Sequence, residues 1–173
     1  MVARRAVLMP LVAVVALVAT SSATAALPRA GLIVPGRSIA GLRLGVTARA
    51  ARKAWGIPAQ CGTAAGVHYC RYATARPLSG FVSFVLTRGR VSSISLEAAY
   101  NPTTKRFVET GPLASFRTAK GIRIGSTAAA VRHAYPSAGS AASGQELTLT
   151  NAKRVTYFLL SSAGNVYGIT LNS

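Results

Sequence analysis

The chain contains no aspartate, and its only acids are Glu97, Glu109 and Glu146. That shortage restricts the chemistry open to it. General acid–base catalysis commonly uses paired carboxylates, and none of these glutamates neighbours another acid or a histidine in sequence. Histidine is scarcer still, with His68 and His133 alone. A nucleophilic triad needs a serine or cysteine, a histidine and usually a carboxylate. His68 sits close to two cysteines and His133 falls on the outward side of an expected helix, so both read as surface residues. The segment Gly139-Ser140-Ala141-Ala142-Ser143-Gly144 lacks the lysine and following helix of a phosphate loop. The expectation is a protein that is not an enzyme and takes no cofactor.

Cysteine is limited to Cys61 and Cys70. A metal reading would join them to His68, but a structural zinc site needs four ligands with closer pairing, so no metal is expected. In an exported chain the two form a disulfide. Export is indicated by the first 26 residues. Arg4 and Arg5 precede an apolar run from Ala6 to Ala19, and Ala23 and Ala25 supply the small-x-small spacing of a cleavage site. The run falls short of the roughly 20 residues of a spanning helix. Residues 1–26 therefore read as a signal peptide, with no transmembrane segment after cleavage and a secreted or envelope-associated, extracytoplasmic location.

What the chain has in excess is positive charge. Removing Arg4 and Arg5 with the leader leaves 18 basic residues against three acids, a net charge of +15. Such a field attracts polyanions and acidic surfaces. Export argues against nucleic acid as a physiological partner, and the basic residues are scattered rather than clustered in a nucleic-acid motif. The expected partners are an extracytoplasmic protein or an anionic envelope polymer or lipid.

Two stretches resemble each other. Gly41-Leu42-Arg43-Leu44-Gly45-Val46-Thr47-Ala48 aligns with Gly121-Ile122-Arg123-Ile124-Gly125-Ser126-Thr127-Ala128, and Gly89 to Leu96 aligns with Gly164 to Leu171. Thr47 and Thr127 occupy N-cap positions, each before a short helix with an apolar side ending near Trp55 or Tyr135. Strands follow at Val67–Tyr72, Phe81–Thr87 and Arg90–Ala98, then at Glu146–Thr150, Arg154–Leu160 and Asn165–Leu171. The expected fold is α+β: two tandem repeats, each a short helical segment packed on a small antiparallel β-sheet. Residues 27–110 form the first repeat with its connector and 111–173 the second.

Strand alternation places Val82, Phe84, Ile94 and Leu96 towards the helix, with Tyr157, Leu159, Ile169 and Leu171 as counterparts. The opposite face then carries Phe81, Val85, Phe158 and Leu160, rimmed by Arg88, Arg90 and Arg154. That face is more apolar than a solvent face should be. It either packs between the repeats or meets a partner.

The pattern G-[IL]-R-[IL]-G-x-T, a short helix ending in an aromatic residue, and a hairpin with G-x-V-x-x-I-x-L together resemble the β-lactamase-inhibitory-protein family and the BamE (SmpA/OmlA) domains. The resemblance implies an exported two-repeat protein, inhibitor-like in use, presenting a concave sheet surface to a protein partner. It also matches a cysteine pair after the first helix. The chain departs from the inhibitor pattern at Arg88-Gly89-Arg90, where that family's acidic hairpin residues would stand. β-Lactamase inhibition is thus the least favoured of three expectations, after a protein-binding module and an envelope-associated structural module.

Overall fold

The computed structural model describes residues 28–73, 80–109 and 111–173, so the expected signal peptide lies outside the described residues. In chain order the first elements are β1 (Gly31–Val34), β2 (Ser38–Ile39), β3 (Leu42–Arg43), α1 (Ala48–Trp55), β4 (Gln60–Ala64), β5 (Val67–Ala73), β6 (Phe81–Thr87) and β7 (Arg90–Glu97). Then come β8 (Tyr100–Asn101), β9 (Arg106–Phe107), a 3₁₀ turn at Pro112–Ser115, β10 (Phe116–Thr118), α2 (Ala128–Ala134), β11 (Gly139–Ser140), β12 (Glu146–Asn151), β13 (Arg154–Leu160) and β14 (Val166–Asn172). Among the described residues no helix is long and apolar enough to cross a membrane.

Eight strands form one continuous antiparallel sheet in the order β11-β12-β13-β14-β7-β6-β5-β4. A four-stranded sheet, β10-β1-β2-β3, includes a parallel pair between β1 and β10. This corrects the expected α+β fold of two repeats, each with its own small sheet. The chain is mostly β, and its strands are shared. β7 pairs with β14, with Ser95 opposite Thr170 and their hydroxyls 3.0 Å apart. Edges that would otherwise lie open in two small sheets thereby satisfy each other. The helices have eight and seven residues, too little to cover a sheet alone, so the small sheet completes the layer above the core.

Local signals in the sequence do form as they are written. The Thr47 hydroxyl accepts from the Ala50 amide at 3.3 Å, and that of Thr127 from Ala130 at 3.1 Å. Each capping turn is tied to a strand of the large sheet. The Gly45 amide donates to Val91 at 2.7 Å and the Gly125 amide to Val166 at 2.8 Å. Gly56 closes α1 with φ of 81°, a conformation that disfavours side chains.

The core lies between the large sheet and the helical layer. Trp55 is fully buried, edge-on to Tyr72 at 5.6 Å, and its indole N–H donates to the Ala40 carbonyl. Tyr135 caps α2 rather than ending it, and its half-buried ring stacks on Phe158 at 5.8 Å. Cross-strand pairing carries one apolar row through the sheet: Tyr72, Val82, Leu96, Ile169, Phe158 and Leu147. All six are buried.

Candidate binding surface

The opposite face of the large sheet is built from the alternate residues of the same strands. One row runs Arg71, Ser83, Ser95, Thr170, Tyr157, Thr148. Beside it lie Phe81, Glu97, Gly168, Leu159 and Glu146, and on the other flank Tyr69, Val85, Ser93, Asn172 and Val155. The buried row beneath has at most 3% exposure, whereas the side chains of these three rows are half-buried and that of Arg71 is exposed. A face under a second layer would be as buried as the core. Sheet neighbours flank these side chains, which keep part of their surface in solvent, although the Asn172 Oδ1 is itself buried.

Charge is divided between the two ends of the sheet. The β6–β7 and β12–β13 hairpins open at the same end of the sheet, beyond the Val85–Ser93–Asn172–Val155 row, and place Arg88, Arg90, Lys153 and Arg154 there, all exposed. Glu97 and Glu146 stand at the other end. Burial pushes the Glu97 carboxyl above its ordinary range, and Arg71 offsets part of that rise. The Arg71 guanidinium lies 4.3 Å from the Phe81 ring centre, within cation–π range. Burial also raises the Tyr167 phenol, with Glu97 and Glu146 adding to the effect. Gly168 makes room here, since a Cβ on it would meet Leu159 at 2.9 Å. Thr148 donates to the Glu146 carboxylate at 3.1 Å.

The expected site residues divide on this map. Phe81 and Val85 lie on the open face. Phe158 and Leu160 do not: they are 0% and 4% exposed and belong to the core. The expected phase of β13 is therefore corrected by one residue, which exchanges every side chain between faces. Tyr157 and Leu159 take the open positions. Both phases of Thr156–Leu160 are apolar enough to pass for the buried one, so alternation alone does not separate them. The usable signal is pairing with Ile169, whose inward position is unambiguous. Arg88 stands in the hairpin turn with φ of 51°. Arg90 and Arg154 are partly committed, donating to the Gly45 carbonyl at 2.9 Å and the Gly36 carbonyl at 3.3 Å.

Cys61 and Cys70 face each other across β4 and β5 and form a disulfide, with sulfurs 1.97 Å apart. His68 lies in the same cluster, 3.3 Å from the Thr63 hydroxyl. With both sulfurs bonded to each other, that cluster offers a metal only the imidazole.

No protein-family model matches the chain, and no curated protein sequence matches it. Solved structures do match in shape. A cysteine-rich secretory protein from Staphylococcus aureus aligns with a TM-score of 0.53 at 8% identity, over 86% of this chain and 50% of that one. A DUF4309 family protein from Bacillus subtilis gives 0.49 at 11% identity, over 77% and 82%. An extracellular protein containing an SCP domain from Bacillus anthracis gives 0.43 at 16%, over 75% and 44%. The chain thus spans half or less of the first and third. At such identities the likeness is one of fold alone.

The Staphylococcus aureus match corrects the resemblance to the β-lactamase-inhibitory-protein and BamE families, since it points to neither. The motif behind that resemblance has a local cause. G-[IL]-R-[IL]-G-x-T encodes two buried aliphatic residues, a left-handed glycine and a helix cap, as seen at Leu42, Leu44, Gly45 and Thr47. Any chain that must turn from a strand into a short helix over a core can use it.

Proposed function

We propose that this protein is an extracytoplasmic, non-catalytic binding module that takes an acidic protein on the open face of its eight-stranded sheet. The observation that carries this reading is the half-exposed row set around Tyr157. There, Tyr69, Phe81, Val85 and Leu159 alternate with serine and threonine hydroxyls. Aromatic anchors among small hydroxyl residues suit protein recognition, because they bury much area at little cost in side-chain entropy. Strands hold them rigidly, which lowers the cost of association. Arg88, Arg90, Lys153 and Arg154 at one end set the orientation and favour an acidic partner, acting on the rate of encounter more than on affinity. The extracytoplasmic location is supported by the leader-like first 26 residues, by the disulfide and by the fold shared with a secretory protein.

A photo-crosslinking residue at position 157 tests this in the envelope fraction of the source cell, with Arg49 on the helix as the control position. An adduct of one defined mass should form at 157, and the captured protein should be acidic. Its yield should fall when Arg88 and Arg154 are changed to Glu. Adducts from position 49 and none from 157 would overturn the reading.

The basic hairpin end favours a second reading, an envelope module held by anionic polymers or lipids. Its binding would rest on charge attraction alone and would be lost as moderate salt screens it, whereas an aromatic contact persists.

A further inference from the structure

At the acidic end of the sheet the β8–β9 hairpin and the loop between β13 and β14 enclose a groove of about 1100 Å³. It lies outside the open-face rows assigned to a protein partner. Its aromatic wall is Tyr100 and Phe107. Phe107 is fixed by stacking flat on Tyr167, with ring centres 3.9 Å apart and planes 10° apart. Tyr100 meets Phe107 edge-on at 5.4 Å, yet keeps 52% of its surface exposed. The polar wall is equally fixed. The Asn165 side-chain amide donates to the Glu109 carboxylate at 3.1 Å. The hairpin turn is held by Asn101, whose side-chain oxygen accepts from the Thr103 and Thr104 amides at 2.9 and 3.2 Å. Lys105 and Arg106 add positive charge at the groove.

We propose that this groove binds a short acidic saccharide. A pyranose has an apolar C–H face and a rim of hydroxyls. The first matches the exposed Tyr100 ring, which Phe107 braces edge-on. The second matches a carboxylate and an amide whose positions are set before the ligand arrives. Pockets that recognise small molecules combine such an apolar wall with few, well-placed polar groups. Lys105 and Arg106 select a sugar that carries a carboxylate, as charge-assisted hydrogen bonds are stronger than neutral ones. A free oligosaccharide and an envelope polysaccharide share this chemistry.

Calorimetric titration with trigalacturonate and with cellotriose, a neutral trimer of the same length, tests the assignment. Trigalacturonate should bind with Kd below about 1 mM and cellotriose more weakly. Tyr100→Ala should lower the affinity for both by about tenfold or more. Its melting temperature should stay unchanged, because the ring is half exposed. Arg106→Ala should weaken only the acidic trimer. Retention on insoluble wall glycan that trigalacturonate elutes assigns the polymer as source; trimer binding without retention assigns a free oligosaccharide. Absence of heat with either trimer at about 10 mM overturns the proposal. So does binding that ignores Tyr100→Ala, which would mark it as charge attraction to a basic protein. Tyr157 variants should leave trimer binding intact, so this test and that of the sheet face fail separately.

Discussion

Phe158 lies directly opposite Ile169 across the β13–β14 pair, on the covered side of the sheet, and neither residue is exposed. Their row continues through Leu96 to Val82 in one direction and to Leu147 in the other. Phe158→Ser should therefore destabilise the fold by about 3–5 kcal/mol, the range for deleting a buried aromatic ring. The serine hydroxyl it introduces has no partner there. Tyr157→Ser, one residue earlier and on the open face, should cost less than half as much. Urea melts of the two variants make the comparison. Equal losses would mean that the face opposite the helices is also packed.

The contrast between these neighbours shows how far the sequence can be read. Helix caps at Thr47 and Thr127 depend on contacts three residues away, and both are legible. The spans of β5–β7 and β12–β14 are legible too, because turn chemistry is local: Arg88-Gly89 sits between two alternating runs and makes a tight turn. The short strands β1–β4 and β8–β11 are not, since so few residues hold no readable alternation. The pairing of β7 with β14 is not local. It joins residues 75 apart, such as Ser95 and Thr170, and no pattern within either segment announces it. The parallel pairing of β1 with β10 joins Gly31 to Phe116 and is hidden for the same reason. On the open face, the positions of Phe81 and Val85 are legible because β6 alternates between half-buried and buried residues from Phe81 to Val85. Tyr157 is missed because β13 is apolar in both phases. Tyr100 is missed because its role depends on a groove made jointly with residues near Asn165.

Thr156 is a polar residue on β13, fully buried. Its hydroxyl accepts from the Gly36 amide at 2.7 Å, 120 residues away in sequence. Thr156→Val keeps the shape and removes the acceptor, leaving a buried amide unpaired. A loss of about 1–3 kcal/mol is expected, and Thr156→Ser should recover most of it. If valine were neutral in a thermal melt, the turn at Gly36 would not be docked on β13.

Glu97 gives a pH signature. Burial raises its folded-state pKa above the ordinary value, so the folded state binds the proton more tightly than the unfolded chain does. Stability from this group is greatest at low pH and falls as pH rises from the unfolded value of about 4.3 through the folded one. Glu97→Gln should therefore raise the melting temperature at neutral pH, and the advantage should shrink as the pH drops through that window. A difference that is constant with pH would show that ionisation of Glu97 plays no part.

The Cys61–Cys70 bridge ties down β4, the outermost strand of the large sheet, which among the described residues pairs only with β5. Most of β4 is exposed: Gln60, Cys61, Thr63 and Ala64 all face solvent. Little apolar burial holds this edge, so the covalent link should add to the backbone pairing with β5 in keeping it in place. In the chain-entropy account, closing so short a loop contributes about 2–3 kcal/mol. Replacing both cysteines with alanine should lower stability by about that amount, and a non-reducing peptide map of the native protein should show the pair linked. The effect should also be uneven. Hydrogen exchange at the β4 amides should accelerate strongly, while that at β6, held between β5 and β7, should change little. Unaltered protection of β4 in the double variant would mean that backbone pairing with β5 suffices, and that the bridge acts only on the unfolded chain.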